Sequence, residues 1–384
     1  MEFELEAEQR EIQTLAREFA EAEIVPHASE WDRARRFPAE LIPKLAGLGL
    51  MGVCIPEELG GAGADFLSYV LVLEELSRAD AGIGVTVAVH TSAATLPIVR
   101  FGTDEQKARF VPPLARGETL GAFALTESDS GSDAASLRTR AEADDGGWRL
   151  TGAKQWITNG AARGTILLFA RTEAGVTAFL VDGSAPGLEV AREAEKLGLH
   201  SSSTVDLVLD GVPVERDRLL GEEGRGFPIA LATLDGGRIG IAAQAVGIAQ
   251  AAYDAARDYA LERRQFGQRI GEFQAIQWKL ADMATEIDAA RLLVWRAAWL
   301  RDRGEPHGEE GAKAKLYASA VARRQTGEAI QILGGYGYTT EFPVERYYRD
   351  AKITEIYEGT SEVQRIVIAR SILGLAEQAV AATT

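Results

Sequence analysis

Apolar positions in the first third of the chain recur at helical spacing. Leu15, Phe19, Ala22 and Ile24 fall near one face of a polar N-terminal segment, and Leu41, Ile42, Leu45 and Leu48 repeat in the same way. A third run, Phe66 to Leu76, ends in Ser77-Arg78-Ala79-Asp80, and Ala81 to Val99 is small and apolar throughout. The last segment predicts a helix buried on all sides. From about 121 to 230 the period shortens to two. Trp148–Gly152, Ile166–Ala170, Val176–Val181 and Val205–Leu209 read as short strands, punctuated by Asp144-Asp145-Gly146-Gly147, Asp182-Gly183 and Asp210-Gly211. Short strands without intervening helical periodicity predict an antiparallel sandwich or barrel rather than βαβ units. Helical patterns return in Ile239–Tyr259, Phe273–Leu300 and Ala312–Leu333. The predicted class is α+β: an N-terminal helical domain over 1–120, a middle antiparallel β-domain over 121–230 and a C-terminal helical bundle over 231–384. No internal repeat is evident.

Composition narrows the function classes. A chain of 384 residues with 46% hydrophobic and 26% charged residues is long and apolar enough for two or three folded domains. Against 41 Lys and Arg stand 57 Asp and Glu, and the net charge of −16 argues against a protein that tracks nucleic-acid phosphates. No uncharged run of about 18 apolar residues is present, so no membrane span is expected. The acidic start lacks the basic flank of a signal peptide, and Cys54 is the one cysteine. A reducing, cytoplasmic setting is expected.

Familiar motifs fail on context. Gly47-Leu48-Gly49-Leu50-Met51-Gly52 fits G-x-G-x-x-G, but a helical pattern precedes it where a strand is needed, so these glycines are read as a helix end. No Gly-Lys pair exists for a phosphate loop, and His27, His90, His200 and His307 are scattered. Other segments admit two readings. Residues 125–133 (LTESDSGSD) are a capped solvated loop or a set of hydroxyl and N–H donors for an anion. Residues 154–160 (KQWITNG) are a core Trp beside a turn or a holder for a planar ring. The basic cluster 261–267 suits a helix C-terminus or phosphates. The Gly-rich 331–338 is a C-cap or a close approach to a ligand. In 355–364, Ser361 and Gln364 form a possible capping box, with Glu358 just outside the helix as a dipole partner or a base.

Taken in order, L-T-E-x-x-x-G-S-D (125–133), K-x-W-I-T-N-G (154–160), R-x-Q-F-G (263–267), F-Q-A-I-Q (273–277), Q-I-L-G-G-x-G-Y (331–338) and R-D-A-K-I-T-E-I-Y-E-G-T-S-E-V-Q-R (349–365) resemble the acyl-CoA dehydrogenase family, most of all its short-chain and short-branched members. The resemblance implies a bound FAD and oxidation of an acyl-CoA to a trans-2-enoyl-CoA. It places the catalytic base at Glu358; the alternative family position, before Arg238, is Gly237 here and carries no carboxylate. By the same resemblance Phe123, Leu125, Thr126, Ser132, Trp156, Thr158, Thr360 and Glu362 contact the flavin. Arg263, Phe266, Gln274, Gln331 and Gly335 reach the FAD of a neighbouring subunit. Ser132, Asp235, Arg238, Tyr357 and Gly359 lie along the substrate. Ser128 replaces a common Pro, and Gln265 a common hydroxyl residue or Ala.

The chemistry fits that set. The carbon beside a thioester carbonyl is a weak acid and needs a positioned base with a stabilised enolate. A hydride acceptor must come from a cofactor, because no side chain takes one. The family implies an electron-transfer flavoprotein as acceptor and a homotetramer built as a dimer of dimers. A sibling acting on a branched, aromatic or carrier-protein-bound thioester is the alternative. A flavin-bearing relative that binds DNA is disfavoured by the acidic charge and the retained Glu358. Neither nucleic acid nor membrane is an expected partner.

Overall fold

The computed structural model describes residues 4–375, and its elements run helices, sheet, helices along the chain. The first helix, Ala7–Glu23, buries Ala16, Phe19 and Ala20. The expected stripe is displaced: Leu15 and Ala22 are exposed and Ala16 and Ala20 face the core in their place. The helix Leu41–Gly47 buries Leu41, Ile42 and Leu45 and ends before the exposed Leu48. Gly49, at φ +74°, turns the chain there, so the G-x-G-x-x-G run is a helix end. The helix Phe66–Ala79 is buried along nearly its whole length. Asp65 accepts from Ser68 N at 2.7 Å, and Asp302 from Phe66 N and Leu67 N at 2.7 and 3.1 Å. Its free N-terminal N–H groups are thereby satisfied.

The segment Ala81–Phe101 is one helical rod with a π stretch at Val89–Thr95. By length and composition it would cross a membrane, contrary to the sequence expectation, but 89% of its apolar window is buried in the protein. Inside the rod, His90 Nε2 sits 3.0 Å from Leu114 O, and its Nδ1 accepts from Gly121 N at 2.9 Å. Burial holds this histidine down to about 4, so it is a neutral core strut.

The sheet comprises β1 (Gly121–Ala124), β2 (Arg140–Asp144), β3 (Gly147–Thr158), β4 (Thr165–Thr172), β5 (Gly175–Asp182), β6 (Leu188–Glu193), β7 (Thr204–Glu215) and β8 (Leu219–Leu220). Their order is β6-β7-β3-β2-β4-β5-β8, with β1 beside β4. The fully antiparallel expectation needs correcting, because β1 and β2 both run parallel to β4. β1 pairs with Thr165–Leu168 and β2 starts opposite Arg171, so the two follow one another along the same side of β4. Residues 125–139 loop out of the sheet between them, and the hydroxyl-rich 125–133 lies on that excursion.

Three long helices follow: Gly226–Glu262, Gln274–Asp302 and Gly308–Leu333. The first begins inside the stretch assigned to the β-domain. Val72, Leu76, Val246, Val294 and Ala318 belong to one apolar core, so N- and C-terminal helices pack as a single body. Trp148, Leu150, Phe179 and Leu207 form a separate core within the sheet.

Candidate active site

After the short helical turn Lys352–Glu355 the chain makes an elbow. Glu358 has φ +53° and Gly359 φ +89°, two consecutive left-handed residues. A non-glycine residue holds that conformation only when its surroundings enforce it. Thr360 then caps the helix Ser361–Ile372, its side chain accepting from Val363 N at 3.3 Å. The expected Ser361–Gln364 box is not formed. Thr360 has the extended backbone of an N-cap, which frees Gln364 to fold back. Its Nε2 donates to Glu358 O at 3.2 Å and Gly359 O at 2.7 Å, pairing carbonyls the elbow leaves without helical partners.

The Glu358 carboxylate points at the helix Gly226–Glu262. A Cβ on Gly237 would lie 2.5 Å from Glu358 Oε2. The two family positions for a base therefore converge on one point. Oε2 is sealed from solvent and has no hydrogen-bond partner. Burial raises the Glu358 pKa, while Lys315 and then Arg238 pull it down. Arg238 is buried and pairs through Nη1 with Asp235 Oδ1 at 2.5 Å. Tyr357 donates to Gln244 Oε1, and Gln244 Nε2 donates to Ala81 O at 2.8 Å. The residues expected along the substrate from 235 to 238 and 357 to 359 thus meet, whereas Ser132 stands exposed on the 125–139 excursion, and among the described residues no hydrogen bond joins it to them.

A second set lies on the sheet. Gln155 N donates to Thr126 O at 2.9 Å, and buried Lys154 donates to Leu125 O at 3.0 Å and Glu127 Oε1 at 2.7 Å. These bonds tie the 125–139 excursion to β3. Phe123 stacks edge-on to Phe169 at 5.3 Å. The β3–β7 register breaks between Lys154 and Ile157, where Trp156 takes φ +59° and stands 57% exposed. Such bulges re-aim a side chain. Thr158 lies two residues on, partly exposed. An open indole face held in a strained backbone, with Thr158 two residues on and Thr126 bonded to the neighbouring Gln155, suits a planar ring carrying polar edges, and FAD fits it. Thr360 and Glu362 sit at the start of the helix that follows the elbow.

The third set is at one end of the C-terminal bundle. The Arg263 guanidinium lies 5.6 Å from the Tyr336 ring, next to Gly335, and Phe266 meets Phe273 edge-on at 6.1 Å, next to Gln274. Phe266, Gln274, Gln331 and Gly335 are all exposed. Among the described residues no hydrogen bond, ion pair or ring contact joins this set to Trp156 or Thr158. No cluster of His, Cys, Asp and Glu able to hold a metal occurs among them either. Sequence reasoning missed Lys315, Gln244 and the Lys154–Glu127 pair, and read Gln364 only as a capping partner; the one available signal was a charge or amide on an otherwise apolar helical or strand face.

Residues 6–118, 122–212 and 224–373 match, in turn, the family models for the acyl-CoA dehydrogenase N-terminal, middle and C-terminal domains. The chain is 50% identical over 372 residues to an acyl-CoA dehydrogenase of Bacillus subtilis (strain 168), covering 96% of this chain and 98% of that protein. Its fold is similar to butyryl-CoA dehydrogenase from Megasphaera elsdenii, with TM-score 0.96, 46% identity and coverage of 97% and 100%. A chain described with the electron transferring flavoprotein of Acidaminococcus fermentans also has TM-score 0.96, at 47% identity and coverage of 97% and 100%.

Proposed function

Because this chain belongs to the acyl-CoA dehydrogenase family and is an FAD-dependent oxidoreductase, we propose that it oxidises short-chain acyl-CoA to the trans-2-enoyl-CoA with Glu358 as base. One observation carries the reading: a carboxylate oxygen, sealed and without a partner, aimed at the bare backbone of Gly237. The absent side chain lets the carboxylate seat against the helix backbone, where an entering acyl α-carbon would meet Oε2. Burial strengthens the carboxylate as a proton acceptor, and an entering substrate that expels water strengthens it further. The Glu358 N–H makes no hydrogen bond among the described residues, so it is free to donate to the thioester carbonyl and stabilise the enolate. FAD, when bound, supplies the hydride acceptor. Trp156 and Thr158 hold its ring in place, with Phe123, Leu125 and Thr126 beneath the same loop.

The packing along this helix supports a short acyl chain. Gln244 lies seven residues from Gly237 on the same helix, about 10 Å along its axis. Its buried bridge between Tyr357 and Ala81 bars the way there. Electrons leave to an electron-transfer flavoprotein, and the active form is a homotetramer in which Arg263, Phe266, Gln274, Gln331 and Gly335 complete a neighbour's FAD site.

The test is the visible spectrum of the anaerobic protein before and after one equivalent of butyryl-CoA. The flavin bands are expected to bleach. Bands that stay oxidised would move the search to branched or carrier-bound acyl groups. Glu358→Gln should keep its flavin and lose turnover by about 10²–10⁴-fold; wild-type turnover would remove the base assignment.

A further inference from the structure

The proposed mechanism leaves the buried Lys315 unused. Lys315 lies on the helix Gly308–Leu333, 1% exposed, and its Nζ donates to Gly359 O at 2.6 Å. One turn on, Ser319 Oγ donates to Thr354 O at 2.8 Å, and one further turn on, Arg323 Nε donates to Glu355 Oε1 at 3.0 Å. Residues four apart share a helix face, so this face is a rack along which the segment 354–359 is fastened. Its uppermost rung holds the carbonyl that directly follows Glu358, and Gln364 holds the same carbonyl from the other side.

We propose that Lys315 is a positioning residue for the dehydrogenation: its ammonium clamps the Gly359 carbonyl, fixes the left-handed Glu358 elbow against Gly237, and sets a positive charge beside the carboxylate. The proposal rests on the reading of Glu358 as base. A buried ammonium costs several kcal/mol of desolvation unless paired. A surface position on the same helix would hold a structural carbonyl bond without that cost if the charge had no further role. The charges around the pair come from every neighbouring element. Lys315 faces Glu358, Glu355 and Glu362 as attractions and Arg238 as a repulsion, and burial lowers it to about 8. Glu358 faces Lys315 and Arg238, with Tyr69 and Tyr357 nearby, and Lys315 is the larger of its two stabilising charges. Lys315 therefore keeps the base ionised in a place whose burial favours the neutral acid.

The sign follows. Without Lys315 the Glu358 carboxylate loses the larger of its two favourable charges, its pKa climbs, and less of it is ionised at a given pH. For Lys315→Met holoenzyme we expect unchanged flavin content, an acid limb of kcat/KM moved upward by about one pH unit or more, and turnover at neutral pH down about tenfold. Lys315→Arg retains the charge, so its acid limb should return toward wild type, while kcat recovers only in part because a planar guanidinium does not reproduce the single Nζ–H bond. An acid limb in Lys315→Met that coincides with wild type overturns the proposal whatever kcat does, since a merely structural lysine changes activity without moving that limb. Should Lys315→Met not fold, Lys315→Gln removes the charge while keeping a donor, and an infrared titration with Glu358→Gln as blank reads the carboxylate directly. Protonation of the Glu358 band at higher pH supports the proposal, and no displacement overturns it. Full turnover in Glu358→Gln alone would defeat the base assignment, a failure seen without any Lys315 variant.

Discussion

At the scale of single residues, the candidate site depends on a missing side chain as much as on a present one. Gly237 leaves the place that Glu358 fills: a Cβ there would stand 2.5 Å from Oε2. Gly237→Ala should therefore displace the carboxylate while leaving the helix intact, since alanine suits a helix better than glycine. A misplacement of about 1 Å is enough to lower kcat roughly 10²-fold. Steady-state turnover with flavin content as control checks this, and unchanged kcat would show that the carboxylate works from elsewhere. The pH dependence has a defined sign. As the proposed base, Glu358 works only when ionised, and burial raises its pKa, so kcat/KM should fall as pH drops through a value above the usual carboxylate range. An acid limb at the ordinary glutamate value would contradict the sealed oxygen. Glu358 was legible in the sequence through the motif around it, and Gly237 was noted only for lacking a carboxylate. Their convergence was not legible, because it depends on how two distant segments pack. Lys315 left a trace, standing with Ala312, Ser319 and Ala322 on the buried face of its helix.

At the scale of elements, the segment between β1 and β2 is set by how both strands meet β4. Alternating apolar residues marked the strands of the sheet, yet alternation says nothing about which strand lies beside which. β1 and β2 pair in turn with Thr165–Leu168 and Arg171 of β4, so residues 125–139 loop out of the sheet between them, and such an excursion needs an anchor. Lys154 supplies it, fully buried on β3, holding Leu125 O and Glu127 while Glu127 accepts from Arg138 N and Thr139 N at 2.6 and 2.9 Å. Removing one partner of a buried pair strands the other charge. Glu127→Gln should cost about 3 kcal/mol of stability and loosen the loop that carries Thr126. A lowered melting temperature together with reduced flavin after gel filtration is the expected result, and a melting curve superimposable on wild type would show that the strap is dispensable.

At the scale of the whole molecule, the residues proposed to hold the flavin fall into two sets that no hydrogen bond, ion pair or ring contact joins among the described residues. Trp156 and Thr158 stand on the sheet, whereas Arg263, Phe266, Gln274, Gln331 and Gly335 gather at one end of the C-terminal bundle. That end leaves large rings in water: Phe266 is 93% exposed, Tyr338 87% and Trp278 65%. Contiguous exposed aromatic surface marks an interface, and if both half-sites hold one flavin they must come from different copies of the chain. Closed symmetry then lets each copy give one half-site and receive the other. Flavin retention and assembly should in consequence fail together. Phe266→Asp places a charge in the contact and should shift the sedimenting species from tetramer toward smaller forms that have lost flavin. Arg263→Ala should weaken flavin retention at a smaller cost to assembly, because it removes a ligand contact and leaves the apolar surface in place. A monomer that sediments with a full complement of FAD would break this linkage and assign the whole cofactor site to one chain.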